Sequence, residues 1–93
     1  MQINTKFNVG DLVYHIYTTV TCEEIGDGTY YKPIWIKNIE PILIDDINIL
    51  IESERICIMY GSYKPLRYFE KDCFLTLELA DQECEKRNKG YYV

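Results

Sequence analysis

Hydrophobic residues in the first two thirds of the chain alternate in the way that is typical of β-strands. Residues 12–22 are rich in β-branched and aromatic side chains and contain neither glycine nor proline. They predict a long first strand. The even-numbered residues from Leu12 to Cys22 are its more apolar set and predict its core face. Residues 23–28, with two glycines and an aspartate, then break the pattern and predict a hairpin turn.

Four further segments complete the predicted β-structure. Residues 30–39 predict a second strand, and Pro33 requires an edge or bulge position because it cannot donate to a ladder. Residues 47–51 and 55–60 predict a hairpin closed by a short polar loop. This hairpin is the most apolar part of the chain, and we expect it at the centre of the fold. Residues 66–69 predict a short fifth strand.

The last part of the chain changes to helical periodicity. Thr76 is a suitable N-cap and Gly90 a suitable C′ residue, so the sequence predicts a helix over residues 77–89. The residues spaced to face a core are Leu77, Ala80, Cys84 and the stem of Arg87 or Lys86. This stripe is narrow, so we expect one side of the helix to pack. We expect the polar residues on the other side to lie mostly toward water, namely Glu78, Gln82, Glu83 and Glu85.

These elements predict a single α+β domain over residues 1–93 that is mainly β. About five short strands within residues 12–69 favour a small SH3-like barrel or a curved antiparallel sheet, packed by the C-terminal helix. No apolar run approaches the length of a membrane span, and the first residues lack the apolar stretch of a secretion signal. We therefore expect a cytoplasmic protein with no membrane partner.

Charge argues against a general affinity for nucleic acid. Fifteen acidic and ten basic residues give a net charge of −5, which repels a phosphate backbone at long range. Seven acids and three bases (−4) fall in residues 1–50, against eight and seven (−1) in residues 51–93. The negative field therefore belongs mainly to the N-terminal half.

The opening Phe-x-x-Gly-Asp-x-Val-Tyr at residues 7–14 and the segment Cys-Phe-Leu-Thr-x-x-x-Ala at residues 73–80 carry a resemblance. Together with Cys84 and Asn88, they resemble small uncharacterised proteins from phages and prophages of Gram-positive bacteria. The resemblance implies an SH3-like first strand, a terminal helix and an accessory role in a bacterial host. Some small acidic phage proteins are anti-CRISPR inhibitors that bind a Cas nuclease, so it implies a host protein as partner.

Four cysteines are the candidates for a metal site. Four thiolates suit a tetrahedral zinc ion, but these residues are 35, 16 and 11 positions apart, without the close pair of a zinc knuckle. They are Cys22, Cys57, Cys73 and Cys84. The alternatives are buried free thiols or a small zinc-stabilised binding domain, and we expect no cofactor. His15 has the opposite strand parity to Cys22 and no cysteine near it in sequence, so we expect no enzyme.

Two surfaces are candidates for binding. Aromatic and basic residues interleave from Tyr60 to Lys71, which favours a nucleic-acid-binding module as the alternative function. Acids and tyrosines meet at the first hairpin, which favours docking on a basic protein surface such as the channel of a host nuclease. The residues predicted to bind this partner are Glu23, Glu24, Asp27, Tyr30 and Tyr31.

Overall fold

The computed structural model describes residues 3–62 and 64–90 and consists mainly of strands followed by one helix. The elements in chain order are β1 (Leu12–Ile25), β2 (Gly28–Lys37), β3 (Ile42–Leu43), β4 (Asp46–Glu52), β5 (Arg55–Ser62), β6 (Lys64–Phe69), a 3₁₀ turn (Glu70–Asp72), β7 (Cys73–Phe74) and α1 (Leu77–Gly90). The five predicted strands and the helix are all found. The two-residue strands β3 and β7 carry too short a pattern for the sequence to predict them.

The strands form two antiparallel sheets. In the first sheet, β1 lies between β2 and β3, and β7 also pairs with β1. The second sheet has the order β4-β5-β6. Both sheets are open, so the class is a small α+β fold and the SH3-like barrel is not confirmed. Pro33 lies on β2, an edge strand, as its missing amide donor requires.

The first hairpin is longer than predicted. Its turn is confined to Gly26 and Asp27, where Gly26 has a φ of +63° that glycine adopts without a steric penalty. The ladder between β1 and β2 continues to the pair Ile25 and Gly28. The acids before the turn therefore belong to the strand instead of to a loop.

The base of β1 is buried on both faces. Val13, 1% exposed, packs with Ile44 and Tyr60 in a cluster facing the second sheet, together with Phe7 and Cys73. Ile16, fully buried, packs with Ala80 and Cys84 of the helix. The fold is therefore a stack in which the first sheet lies between the second sheet and α1.

The prediction of one core face on β1 is therefore wrong. Odd-numbered Val13 is buried, whereas even-numbered Leu12, Val20 and Cys22 are exposed. The physical reason is that the strand base has packing partners on both sides, while the distal half leaves the body and has none. Residues 18–27 are all exposed. We call residues 18–33 of the β1–β2 hairpin the acidic arm.

The β4–β5 hairpin also projects from the body, contrary to the expectation that it forms the centre. Its base is packed through Ile47, Ile58 and Tyr60, but Ile49, Leu50, Ile51 and Ile56 near its tip are 43–57% exposed. We call residues 48–57 the apolar arm. The radius of gyration is 16.0 Å, against about 12 Å for a compact domain of this length.

The helix packs on the predicted face. It begins after Thr76, whose hydroxyl oxygen accepts a hydrogen bond from the Leu79 amide at 3.2 Å, as an N-cap should. Ala80 and Cys84 are buried. Glu83, expected to face water, instead accepts a hydrogen bond from Arg87 at 3.1 Å and is half-buried. Gly90 lies within the helix.

The burial of Ala80 yields a stability prediction. Ala80→Asp should lower the free energy of unfolding by about 3 kcal/mol or more, because it places an unpaired carboxylate against Ile16. Gln82→Asp adds the same charge to an exposed position of the same helix and should cost less than about 0.5 kcal/mol. Urea denaturation of both variants checks this. Equal losses would contradict the packing face.

Candidate functional site

The tip of the acidic arm brings together all five residues predicted to bind a partner. Glu23 lies opposite Tyr30 in the ladder, while Tyr31 lies opposite Cys22. Because opposite residues of an antiparallel pair share a face, Glu23 and Tyr30 lie on one face of the arm. Glu24 has the parity of Cys22, so it lies with Tyr31 on the other face. Each face of the arm therefore carries an acid beside a ring.

Both rings are open to solvent. Tyr30 is 53% exposed and Tyr31 is 70% exposed, and Val20 and Ile25 of the same arm are exposed to a similar extent. Exposed aromatic and branched apolar side chains are the groups that supply desolvated contact area in protein interfaces. This end of the molecule thus presents apolar contact area that its own fold does not cover.

The charge at the tip is predominantly negative. Glu23 forms an ion pair with Lys32 at 3.3 Å, and both side chains are well exposed. Glu24 flanks the turn and Asp27 lies within it, and both are exposed. Exposed pairs contribute little to stability, so these acids act mainly through the field that they present to an approaching partner.

The four cysteines do not converge. Cys22 is exposed on the acidic arm, Cys57 is half-buried on β5, and Cys73 and Cys84 lie in different core clusters. Across residues 3–62 and 64–90, no three histidine, cysteine or acidic side chains are grouped so that they could hold a metal ion. The candidate zinc set is therefore distributed over the fold.

The structure does bring a cysteine to His15, which the sequence did not reveal. Strand β7 pairs with β1 so that Cys73 lies opposite His15. Burial raises the pKa of the Cys73 thiol to about 12, and the Asp72 and Glu70 carboxylates shift it in the same direction. A thiol with such a pKa stays protonated at neutral pH, whereas the thiolate is the nucleophile. His15 and Cys73 therefore form part of the packed interior and not a nucleophilic pair.

His15 is half-buried and lies between two rings. Its imidazole lies edge-on to Tyr68, with the ring centres 4.5 Å apart, and stacks on Tyr17 at 5.8 Å. Burial lowers the pKa of His15 below its ordinary value of 6.5, and the nearby Asp72 carboxylate opposes that shift. The neutral imidazole is thus the form that the folded protein favours.

Arg87 fastens the helix to the rest of the fold. Its guanidinium donates to Asp72 at 2.8 Å and to the Lys71 carbonyl at 3.0 Å, and it lies 4.4 Å from the centre of the Trp35 ring. The neighbouring Asn88 side chain accepts a hydrogen bond from the Trp35 amide at 2.8 Å and donates one to the Trp35 carbonyl at 3.1 Å. The spacing of Glu83 and Arg87 signals their contact in the sequence. No sequence signal links Arg87 to Asp72, because β7 brings that carboxylate to the helix.

Within the described part of the segment from Tyr60 to Lys71, the rings do not form the exposed row that base stacking requires. Tyr60 is 1% exposed, and its hydroxyl donates to Glu70 at 2.5 Å. Tyr68 is half-buried against His15, and Arg67 forms an ion pair with Asp46 at 3.2 Å. Tyr63 and the side chain of Lys64 lie outside the described residues. Of the predicted stacking rings, two therefore serve the core.

Comparison of the chain with protein-family models, curated proteins and solved structures finds no match. In the part of the chain that the structure describes, no helix combines the length and the apolar composition that crossing a lipid bilayer requires. The candidate site therefore has to be interpreted from its own geometry.

Thiol accessibility gives a direct test of the cysteine placement. In the folded protein, Cys22 should react rapidly with an aromatic disulfide reagent, and Cys22→Ser should remove the fast phase. Cys73 and Cys84 should react at least about a hundredfold more slowly until denaturant is added, because both are buried. Peptide mapping of the modified protein assigns each phase. Rapid modification of Cys73 in the folded state would contradict its place in the core.

The environment of His15 predicts a pH dependence of stability. Its pKa is lowered on folding, so the unfolded chain binds more protons near and below pH 6.5. The free energy of unfolding should therefore fall as the pH drops through 6.5 toward the folded-state pKa of His15. His15→Gln should flatten this slope between about pH 7 and about pH 5 in chemical denaturation. An identical slope in both proteins would show that His15 does not contribute.

Proposed function

We propose that this protein acts without catalysis, by binding another protein through the tip of the acidic arm. The observation that carries the proposal is the juxtaposition on one projecting hairpin of Glu23, Glu24 and Asp27 with Tyr30 and Tyr31, all exposed. Acids speed association with a basic surface, and rings slow dissociation once the surfaces meet. The two residue types therefore serve successive steps of one binding event.

The form of the arm favours insertion into a concave surface. A two-stranded hairpin is narrow, and here both of its faces are uncovered over residues 18–27. The chain as a whole extends 54 Å along its longest axis against 24 Å along its shortest. A projecting acidic hairpin fits a basic cleft better than it fits a flat surface, since both of its faces then gain contacts.

A host nuclease is the partner class that joins this chemistry to the sequence resemblance. In this proposal the protein is a phage-type accessory factor, and the arm occupies a channel that is basic because it normally holds nucleic acid. Occupying that channel inhibits the enzyme by excluding its substrate. The acids of the arm then stand where phosphates would bind.

The alternative of a nucleic-acid-binding module on an SH3-like barrel draws less support. The net charge is −5, and Tyr60 and Tyr68 of its proposed stacking surface are engaged in the interior. Phosphate binding requires exposed cations, and base stacking requires exposed rings. The net negative charge and the engagement of these rings therefore favour a basic protein over a nucleic acid as the ligand.

Charge reversal on the arm tests the proposal. The variant with Glu23→Lys, Glu24→Lys and Asp27→Lys should recover at least about tenfold less of the partner from a bacterial lysate than the unaltered protein. A control with Glu40→Lys, Glu78→Lys and Glu85→Lys makes the same change in net charge at exposed positions elsewhere. This control should recover the partner normally. Quantitative mass spectrometry of the captured proteins provides the measurement.

The rings are tested on the recovered partner by binding kinetics. Tyr31→Ala should increase the dissociation rate by about tenfold with little change in association, and Tyr30→Ala reports on the opposite face of the arm. Duplex nucleic acid should compete with the protein for a nuclease channel. Recovery and rates that are the same for the arm variants and the controls would exclude this surface.

A further inference from the structure

The outer edge of β4 is an unpaired strand edge. In the second sheet β4 is the first of three strands, and among residues 3–62 and 64–90 it pairs with β5 alone. Alternate residues of such a strand direct their N–H and C=O groups away from the sheet, where another strand can bond to them. Strand β4 spans seven residues, Asp46–Glu52, which is long enough to pair with an added strand.

The other edges of the two sheets carry features that oppose strand addition. Strand β2 has Pro33 near its middle, and Lys32 and Lys37 lie on the same strand. Strand β6 begins with Lys64 and Pro65, and β3 has two residues. Proline, lysine and short length are the devices by which edges avoid unwanted pairing. Strand β4 has no proline, no lysine and no register irregularity with β5.

Apolar side chains flank this open edge on both faces. Ile49 and Ile51 are 43% and 57% exposed on one face, where Ile51 lies opposite Ile56. Leu50, on the other face, is 49% exposed and lies opposite Cys57. A strand added beside β4 gains backbone hydrogen bonds and also covers these side chains. Strand addition usually combines these two contributions.

Charge distinguishes between the strands that could pair here. Strand β4 has an acid at each end, Asp46 and Glu52. A second copy added antiparallel about Ile49 would set each Asp46 directly opposite the other copy's Glu52, and like charges placed opposite each other are destabilising. Basic residues at the ends of the incoming strand would instead form favourable pairs. Arg67 of β6 already forms an ion pair with Asp46 at 3.2 Å, and Arg55 of β5 lies opposite Glu52. Because exposed ion pairs contribute little, each acid would be shared between its arginine and a base of the incoming strand.

We propose that the outer edge of β4 binds an extended segment of another protein as an additional antiparallel strand, with apolar residues at its centre and basic residues at its ends. This site lies on the apolar arm and does not depend on the acidic arm. The proposed function relies on side chains of the acidic arm, whereas here the backbone of β4 recognises the partner.

A designed peptide tests the proposal. The probe is a blocked peptide that matches β4 in length, with alternating valine and threonine between two terminal lysines. Its binding should slow hydrogen exchange of alternate β4 amides by at least about tenfold and leave β2 amides unchanged. The same peptide with N-methyl groups on the residues that face β4 should lose binding, because it can no longer donate. Equal binding of the methylated peptide would overturn strand addition.

The charge requirement has its own control. A peptide with glutamates in place of the lysines should bind about threefold or more weakly at low salt. Glu52→Lys in the protein should reduce or reverse this preference, whereas Glu78→Lys, which makes the same charge change on the helix, should retain it. Equal binding of the two peptides to the unaltered protein would overturn the basic-ended partner. Protection of the β4 amides by self-association, seen in sedimentation without peptide, would identify a second copy as the occupant and overturn the proposal.

Discussion

The rest of the structure depends on the two-sided burial of the base of β1. Val13 joins the second sheet through the cluster that contains Tyr60, and Ile16 joins the helix through Ala80. These residues are three positions apart on one strand, so a single short segment holds both other layers. A chain of 93 residues has little apolar surface to distribute, and burial per residue is correspondingly limited. Concentrating it around one strand leaves long parts of the chain outside the core.

Polar contacts complete the attachment of these layers. Arg87 bonds Asp72 and covers the Trp35 ring, so one side chain joins the helix to the 3₁₀ turn and to β2. On the other side of β1, the Tyr60 hydroxyl donates a hydrogen bond to Glu70 and accepts one from the Phe7 amide at 3.2 Å. Buried and half-buried charged and phenolic groups need such partners, because an unsatisfied polar group in the interior is costly. The 3₁₀ turn thus connects both clusters.

The two projecting hairpins follow from the same limitation on core size, and they differ in chemistry. The acidic arm carries charge and tyrosines, whereas the apolar arm carries isoleucine and leucine beside an open edge. Charged groups act over a distance limited by ionic screening, while backbone pairing acts in contact. If both arms bind, the molecule has two binding surfaces of independent character on one small scaffold.

The sequence by itself determined the local elements. The glycines of the first turn, the alternation along the strands and the cap at Thr76 express preferences of the backbone within a few residues. The five strands and the helix are found where they were predicted, although the first turn is confined to residues 26 and 27. The sequence also predicted that the acids and rings of the acidic arm share one end of the first hairpin, because the turn joins the strands beside it. Their function as a binding surface stays a prediction.

The tertiary structure alone decided which faces are buried and which distant residues meet. Periodicity identifies an apolar face but does not count the layers around a strand, so the burial of Val13 and the exposure of Val20 were not predictable. The isoleucines of the β4–β5 hairpin led to the prediction that it forms the core, because hydrophobicity alone does not distinguish a buried strand from an uncovered one. The pairs His15 with Cys73 and Arg87 with Asp72 depend on β7, a two-residue strand whose position is set by packing, since so short a segment has no periodicity of its own.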